Sequence, residues 1–407
     1  MKVFQINTVC GTGSTGRIAV DLYHVLEKAG HQCCIAYGRG QAPDGIDSYK
    51  IETTAGFYLH TAFSRLTDKE GLYSASATQK LIEKIKDYAP DIIHLHNIHG
   101  HYLNYPLLFH FLSAYDKPVV WTLHDCWALT GHCAYFDYIR CSRWKTGCED
   151  CPQLRTYPIS YLCDHSRENY ALKKKLFTGV RRLHIVTPSQ WLADLVKQSF
   201  LKMYDVSVIH NGIDVNVFKP TPSDFREKYH LQGKKIILGV ASPWSSRKGL
   251  RDFIKLAKIL NSTTVIVLVG INDKQLQSLP DNIIGLKRTS NAKELAEIYT
   301  AADVFFNPTY EDNYPTTNIE SLACGTPVVT YQTGGSPECI QKNQGLVIKK
   351  GDFYNLLSFL SSSTAHDSLK MNEQTCANVD FDQFILFGDY IKLYKMQIQL
   401  ARENING

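Results

Sequence analysis

The chain alternates short apolar runs with longer segments in which apolar residues recur every three or four positions. The runs are typical of buried strands, and the longer segments of amphipathic helices. A first series of predicted strands comprises Val3–Ile6, Gln32–Tyr37, Ile92–His96, Val119–Leu123 and His184–Thr187. A second series comprises Val206–His210, Lys235–Gly239, Thr264–Val269, Asn282–Leu286, Val304–Asn307 and Pro327–Thr330. Helices between the strands predict parallel pairing through right-handed crossovers. The fold class is therefore α/β, with two doubly wound, Rossmann-like domains.

The boundary between the two domains is predicted near Tyr204, after the helical segment Ser189–Lys202. Residues 1–204 would form the first domain, with a cysteine-rich insertion at about 130–154, and residues 205–380 the second. Residues 381–407 are expected to form a helix that packs back on the first domain. Ligands of open α/β sheets bind at the carboxyl ends of the strands, so we expect two domains facing across a cleft that holds the site.

Composition narrows the class of protein. The 407 residues are 44% hydrophobic and 20% charged, as in folded soluble proteins of more than one domain. The net charge of +5 suits anionic ligands but is too small to indicate nucleic-acid binding. No apolar run approaches the roughly 20 residues that span a bilayer, and the polar Gln5 and Asn7 argue against a signal peptide. A cytoplasmic protein with reduced cysteines is expected.

The loop "CGTGSTGR" (Cys10–Arg17) matches G-x-G-x-x-G between a predicted strand and the predicted helix Ile18–Ala29. This spacing is typical of dinucleotide binding, which also needs an acidic residue about 20 positions later for the ribose. The second predicted strand is instead followed by Gly38 and Arg39, and an arginine suits a 2′-phosphate. An NADP-dependent oxidoreductase is therefore one alternative.

The segment "NPTYEDNYPTTNIESLACGTPVV" (Asn307–Val329) combines carboxylates with a predicted helix start near Thr316. Backbone N–H groups at a helix N-terminus bind phosphate oxygens, and a carboxylate such as Glu320 can accept hydrogen bonds from a ribose diol. The alternative is a capped helix on which Glu320 is a surface charge.

This segment resembles the signature of the retaining glycosyltransferases of family 4, which have the GT-B fold. The signature has two acidic residues separated by seven others, here Asp312 and Glu320, followed by a small-residue helix and "CGTPVV". Further matching segments are "IHNGIDVNVFKP" (Ile209–Pro220), "ASPWSSRKGL" (Ala241–Leu250) and "GGSPE" (Gly334–Glu338). The resemblance covers nearly the whole chain.

The resemblance implies a metal-independent enzyme that moves a sugar from a nucleotide-diphosphate donor to a saccharide or lipid-linked acceptor in bacterial surface polysaccharide assembly. Its expected catalytic residues are His124, Asp312, Arg247 and Lys248. Its expected donor-binding residues are Gly13, Ser14, Gly16, Arg17, Glu311, Thr317, Asn318, Ile319 and Glu320. On the acceptor side we expect His96, Asn97 and Asp125.

The sequence departs from the family pattern at two positions. The first acidic residue is Asp312 where the family has glutamate, with Glu311 beside it, and Pro243 occupies the place of a diphosphate-binding arginine. Arg247, next to Lys248, is the best substitute, since an Arg–Lys pair can neutralise a diphosphate leaving group. The alternatives are that Arg247 is a solvated charge and that the protein is a catalytically degenerate sugar-binding protein.

Two further clusters permit metal binding. His94, His96, His99 and His101 are read either as metal ligands or, as we prefer, as a wall contacting acceptor hydroxyls. In the insertion, Cys133, Cys141, Cys148 and Cys151 include a C-x-x-C pair, which predicts structural zinc, the alternative being buried or disulfide-bonded thiols.

The lysine-rich stretch "YALKKKLFTGVRR" (Tyr170–Arg182) has two interpretations. It suits peripheral contact with an anionic inner membrane, or it is an ordinary solvated helix.

Overall fold

In a computed structural model of the protein, which describes residues 1–361 and 379–406, the chain divides into two units. The first unit comprises Met1–Asn211 and Leu386–Gly407, and the second comprises Gly212–Ile385. Each unit is built around a parallel sheet with helices between most successive strands, which confirms the predicted α/β class.

The sheet of the first unit has seven strands in the order β3-β2-β1-β4-β5-β6-β7. Its strands are β1 (Lys2–Val9), β2 (Gln32–Arg39), β3 (Ser48–Lys50), β4 (Ile92–Leu95), β5 (Val119–Thr122), β6 (Leu183–Thr187) and β7 (Val206–Val208). Its helices are α1 (Gly13–Lys28), α2 (Thr54–Thr67), α3 (Ala75–Tyr88), α4 (Tyr105–Ala114), α5 (Ser166–Phe177) and α6 (Gln190–Lys197). Pairing of Val3 with both Cys33 and Ile92 fixes β1 between β2 and β4, and the central strands are fully buried.

The second sheet has six strands in the order β10-β9-β8-β11-β12-β13. Its strands are β8 (Lys235–Val240), β9 (Thr264–Val269), β10 (Ile283–Leu286), β11 (Val304–Asn307), β12 (Val328–Tyr331) and β13 (Gly345–Ile348). Its helices are α7 (Phe225–Lys228), α8 (Leu250–Ala257), α9 (Asp273–Leu276), α10 (Ala292–Ala301), α11 (Thr316–Ala323) and α12 (Phe353–Ser361). A short helix, α13 (Gln383–Leu386), follows. Apolar clusters cover both faces of this sheet, as expected for a doubly wound unit.

The last helix, α14 (Gly388–Asn406), belongs to the first unit. The hydroxyl of Tyr394 lies 2.6 Å from His94 Nδ1 on β4, and the hydroxyl of Tyr390 lies 3.0 Å from Thr122 Oγ1 on β5. The chain therefore returns to cover the sheet with which it began.

Strand β7 differs from the prediction. Val206–His210 was assigned to the second series, but β7 pairs with β6, Ile185 opposite Val206, and so belongs to the first sheet. The predicted boundary at Tyr204 accordingly falls inside the first unit, which continues to Asn211. Apolar patterning identifies a strand but carries no information about which sheet it joins.

The lysine-rich stretch Tyr170–Arg182 begins within α5. Its apolar side chains Tyr170, Leu176 and Phe177 are buried, so this helix uses its apolar residues in the core of the first unit. Among the helices of the described residues, none has both the length and the apolar character needed to cross a bilayer.

Candidate functional site

In the second unit, the loop after β8 contacts the acidic loop after β11. Lys248 Nζ lies 2.6 Å from Asp312 Oδ2. Arg247 Nη1 donates a hydrogen bond of 2.7 Å to the carbonyl oxygen of Glu311. Both cations thus lie beside the two acidic positions, and Arg247 is not simply a solvated charge.

Asp312 is a buried carboxylate held by these cations. Burial alone would raise its pKa, but the charges of Lys248 and Arg247 and the hydrogen bond from Lys248 outweigh it, so the pKa of Asp312 is lowered. The loop backbone fits closely around this residue, because a Cβ at Gly334, whose φ is +55°, would lie 2.0 Å from the Asp312 carbonyl oxygen. The geometry keeps a negative charge next to a positive one at the carboxyl end of β11.

Glu320 lies on α11 and is 1% exposed, so the interpretation as a surface charge was wrong. Its Oε2 accepts a hydrogen bond of 3.1 Å from the Tyr299 hydroxyl of α10. A buried carboxylate with a fixed hydroxyl partner is suited to a directed role rather than to solvation.

The first turn of α11 contains the other predicted donor-binding residues. Asn318 is fully buried, and its side chain accepts a hydrogen bond from Asn307 and donates one to Ser336. Its backbone N–H donates to the Pro315 carbonyl oxygen at 3.1 Å. Ile319 is fully buried in the core. These two side chains therefore hold α11 in place, whereas Thr317 is half-buried at a helix N-terminus whose first amides lack intrahelical acceptors.

The loop after β8 is anchored by its tryptophan. Trp244 is buried and its Nε1 donates to the Val269 carbonyl oxygen at 2.8 Å, whereas the preceding Pro243 is exposed. Pro243 occupies the position where the family has arginine. The arginine that contacts the acidic loop in this structure is Arg247.

In the first unit, His124 belongs to a hydrogen-bonded chain that includes His96 and Gln5. The Gln5 amide nitrogen donates to Ala19, so its Oε1 accepts from His96 Nε2 at 2.8 Å. His96 Nδ1 then accepts from His124 Nε2 at 3.0 Å. Burial lowers the pKa of His124 to about 4 and that of His96 well below its usual value, so both imidazoles are neutral at pH 7.

Asp125, the next residue, belongs to a second chain. Its Oδ2 lies 2.9 Å from His99 Nε2, and His99 Nδ1 lies 2.8 Å from the Tyr157 hydroxyl. Burial would raise the pKa of Asp125, but the His99 charge and hydrogen bond outweigh it and lower that pKa. The predicted acceptor residues His96, Asn97 and Asp125 line one pocket together with His124.

The glycine loop begins α1 earlier than predicted, at Gly13. Gly13, Ser14 and Arg17 are exposed, whereas Gly16 is buried against Val9, whose Cγ2 would lie 3.0 Å from an added Cβ. Gly16 therefore serves close packing of the helix on β1, and the exposed residues remain accessible to a ligand.

The four histidines predicted as a possible metal cluster do not form one. His94 is held between Thr122 and Tyr394, and His101 forms an ion pair with Glu70. Among the described residues, three potential ligand atoms lie within 4.8 Å of one another only at His60, Glu70 and His101. Glu70 also accepts hydrogen bonds from the backbone amides that follow β4, so this group fastens the loop to the fold.

The predicted metal cysteines Cys133, Cys141, Cys148 and Cys151 are free thiols, which contradicts the disulfide alternative. They line one pocket in the insertion.

Sequence reasoning missed the residues that position the predicted ones. Gln5, Tyr299 and Tyr157 hydrogen bond to His96, Glu320 and His99, respectively. Only Gln5 carried a signal, as a polar residue inside an apolar strand.

Two family models match the chain. The model for Glycosyltransferase Family 4 matches residues 15–217, and the model for Glycosyl transferases group 1 matches residues 223–362. Neither match supports the oxidoreductase alternative.

Curated relatives agree with these matches. WcaC of Escherichia coli (strain K12), named as a colanic acid biosynthesis glycosyl transferase, is 25% identical over 384 residues, which cover 88% of this chain and 89% of the relative. The N,N'-diacetylbacillosaminyl-diphospho-undecaprenol alpha-1,3-N-acetylgalactosaminyltransferase of Campylobacter jejuni is 27% identical over 222 residues, 51% of this chain and 58% of the relative.

Solved structures share the fold. Sucrose-phosphate synthase from Thermosynechococcus elongatus superposes with a TM-score of 0.72 at 16% identity and covers 98% of this chain and 100% of that one. Anabaena HepE in complex with UDP and glucose has a TM-score of 0.67 at 15% identity, with coverage of 97% and 100%.

Proposed function

The chain belongs to the group 1 glycosyltransferases and has their GT-B fold, and from this membership we propose that it is a retaining enzyme of surface polysaccharide assembly. It would transfer a sugar from a nucleotide-diphosphate donor to a saccharide or lipid-linked acceptor. The relative named for colanic acid biosynthesis and the relative named for a diphospho-undecaprenol acceptor support this setting. We assign the reaction to the cytoplasm, in keeping with the free thiols.

The observation that carries the proposal is the pairing of Lys248 with Asp312 beside Arg247 and the N-terminus of α11. Lys248, Arg247 and the first amides of α11 would bind the donor diphosphate, and Glu320 the ribose. Asp312 would bind hydroxyls of the donor sugar. Protein cations then stabilise the departing diphosphate, so no catalytic metal ion is needed.

The first unit would supply the acceptor side. His96, Asn97 and Asp125 would contact acceptor hydroxyls, and neutral His124 would contact the donor sugar near the reacting carbon. The acceptor oxygen forms a bond to the anomeric carbon on the face from which the diphosphate leaves, and the acceptor proton passes to a diphosphate oxygen. The configuration of the anomeric carbon is thereby retained.

A panel of sugar nucleotides, beginning with UDP-sugars because a structural neighbour binds UDP and glucose, tests this proposal. We expect release of nucleoside diphosphate without added divalent ions, and product with the donor's anomeric configuration by NMR. Glu320→Ala should abolish release, whereas Glu297→Ala, on α10 outside the site, should not. Donor binding without any turnover would instead indicate the degenerate sugar-binding protein.

A further inference from the structure

The segment between Leu129 and Ser166 includes the cysteine-rich insertion. It contains one 3₁₀ turn, Arg143–Lys145, and otherwise irregular backbone. Loops longer than about 15 residues without secondary structure are uncommon in compact units and need another source of order. Four cysteines of this segment line one pocket, namely Cys133, Cys141, Cys148 and Cys151. We propose that this pocket is a structural zinc site.

One of these thiols already contacts the backbone. Cys148 Sγ accepts a hydrogen bond of 3.2 Å from the Gly131 amide. Amide donors to sulfur stabilise metal-bound thiolates, and zinc favours sulfur ligands in structural sites.

His132 is an independent indication of a metal. Its Nδ1 is hydrogen bonded to Asp68, and a carboxylate only accepts, so in the neutral imidazole Nε2 carries the lone pair. That Nε2 atom is buried without a hydrogen-bond partner, and the residue lines the same pocket. A histidine oriented by a carboxylate, with its other nitrogen free, is the usual arrangement of a metal ligand.

A buried cation lies beside the pocket. Lys173 Nζ is 2.8 Å from the carbonyl oxygen of Trp127 and 3.0 Å from that of Thr130, which are neutral partners. Burial lowers the pKa of Lys173 to about 7, because these carbonyl partners carry no negative charge to offset the loss of water. A zinc–thiolate centre carries net negative charge and would favour the charged form of this lysine.

Binding requires the sulfur atoms to move closer together, since no three of them lie within 4.8 Å of one another. The backbone that carries them is irregular and can adjust. Zinc is tetrahedral, so it takes four of the five donors. Cys141, Cys148 and Cys151 would supply three, and Cys133 or His132 the fourth.

The test is metal analysis of the full-length protein, purified under reducing conditions and incubated with zinc. We expect about one zinc ion per chain. We expect Cys141→Ser, Cys148→Ser and Cys151→Ser each to remove it, whereas Cys163→Ser, in the same segment but outside the pocket lining, should keep it. Cys133→Ser and His132→Asn are compared in the same way, and the variant that loses more zinc identifies the fourth ligand.

Because these variants can also misfold, the wild-type protein provides a second measurement. Cobalt should produce a thiolate-to-metal charge-transfer band, and a chelator should abolish the band, expose reactive thiols and lower the Tm. Wild-type protein that takes up no zinc and shows no such band would overturn the proposal, as would equal zinc loss in Cys163→Ser.

Discussion

Replacing Lys248 with alanine removes the cation that contacts Asp312, a proposed catalytic residue, and that we propose binds the donor diphosphate. The Lys248 and Asp312 side chains are 24% and 11% exposed, and their charged atoms are 2.6 Å apart. The variant therefore leaves a mostly buried carboxylate with Arg247 as its remaining nearby cation.

Two magnitudes follow. Exposed ion pairs contribute about 0–1 kcal/mol to stability, and breaking a fully buried pair costs about 3–5 kcal/mol. Because the Lys248–Asp312 pair is partly buried, its loss should lower the free energy of unfolding by about 1–2 kcal/mol. Loss of one preorganised donor to a developing anion costs about 10²–10³-fold in kcat. The stability contribution of Asp312 exists above the carboxyl pKa of the unfolded chain and disappears as the pH falls through its lowered native pKa, so Lys248→Ala should also weaken that dependence.

The assay is nucleoside diphosphate release, with urea unfolding of the same preparations. Lys255→Ala is the matched control, because Lys255 pairs with Asp252 at 3.3 Å but is 65% exposed. We expect the control to stay within about threefold of wild-type kcat. A folded Lys248→Ala variant with wild-type kcat would refute the role of this cation in diphosphate departure.

Three further predictions concern His124 and Tyr394 in the first unit and Gly334 in the second. Burial lowers the pKa of His124 to about 4, so as the pH falls from 6.5 this histidine is protonated in the unfolded chain before it is protonated in the native protein. The free energy of unfolding should therefore decrease by up to about 3 kcal/mol between pH 6.5 and pH 4. His124→Gln should flatten this decrease in urea titrations, and an unchanged slope would contradict the assignment. Gly334→Ala places a Cβ 2.0 Å from the Asp312 carbonyl oxygen at φ +55°, so we expect both the Tm and diphosphate release to fall; a wild-type Tm would show that the loop adapts. Tyr394→Phe removes the hydroxyl at 2.6 Å from His94 and should cost about 1–3 kcal/mol by chemical denaturation, and no change would mean that this contact contributes nothing.

Most of the strand framework was predictable because the central strands of parallel sheets are buried on both faces and read as apolar runs. The edge strands β3 and β13 were missed, since Ser48–Lys50 contains no apolar run and Gly345–Ile348 is half-exposed. These two edge strands lack the double burial that makes the signal, whereas the other edge strands, β7 and β10, were predicted from their apolar residues.

The family motifs identified candidate donor-binding residues, but not what their side chains contact. Lys248 and Asp312 are 64 residues apart in the chain, and nothing in local spacing indicates that they form an ion pair. Asn318 belongs to the same motif as Glu320, yet its amide group is used within the fold. Such distinctions depend on the register of neighbouring elements, which the linear pattern does not contain.

The return of α14 to the first unit affects the order in which the protein can fold during synthesis. Tyr394 contacts His94, which lies 300 positions earlier in the chain, so the ribosome must translate the entire second unit before the covering helix exists. Strands β1 to β13 all precede α14 in the chain. Until α14 is translated, the hydrogen bonds between Tyr394 and His94 on β4 and between Tyr390 and Thr122 on β5 are missing, and a nascent chain that stalls late would present this uncovered surface to chaperones and proteases.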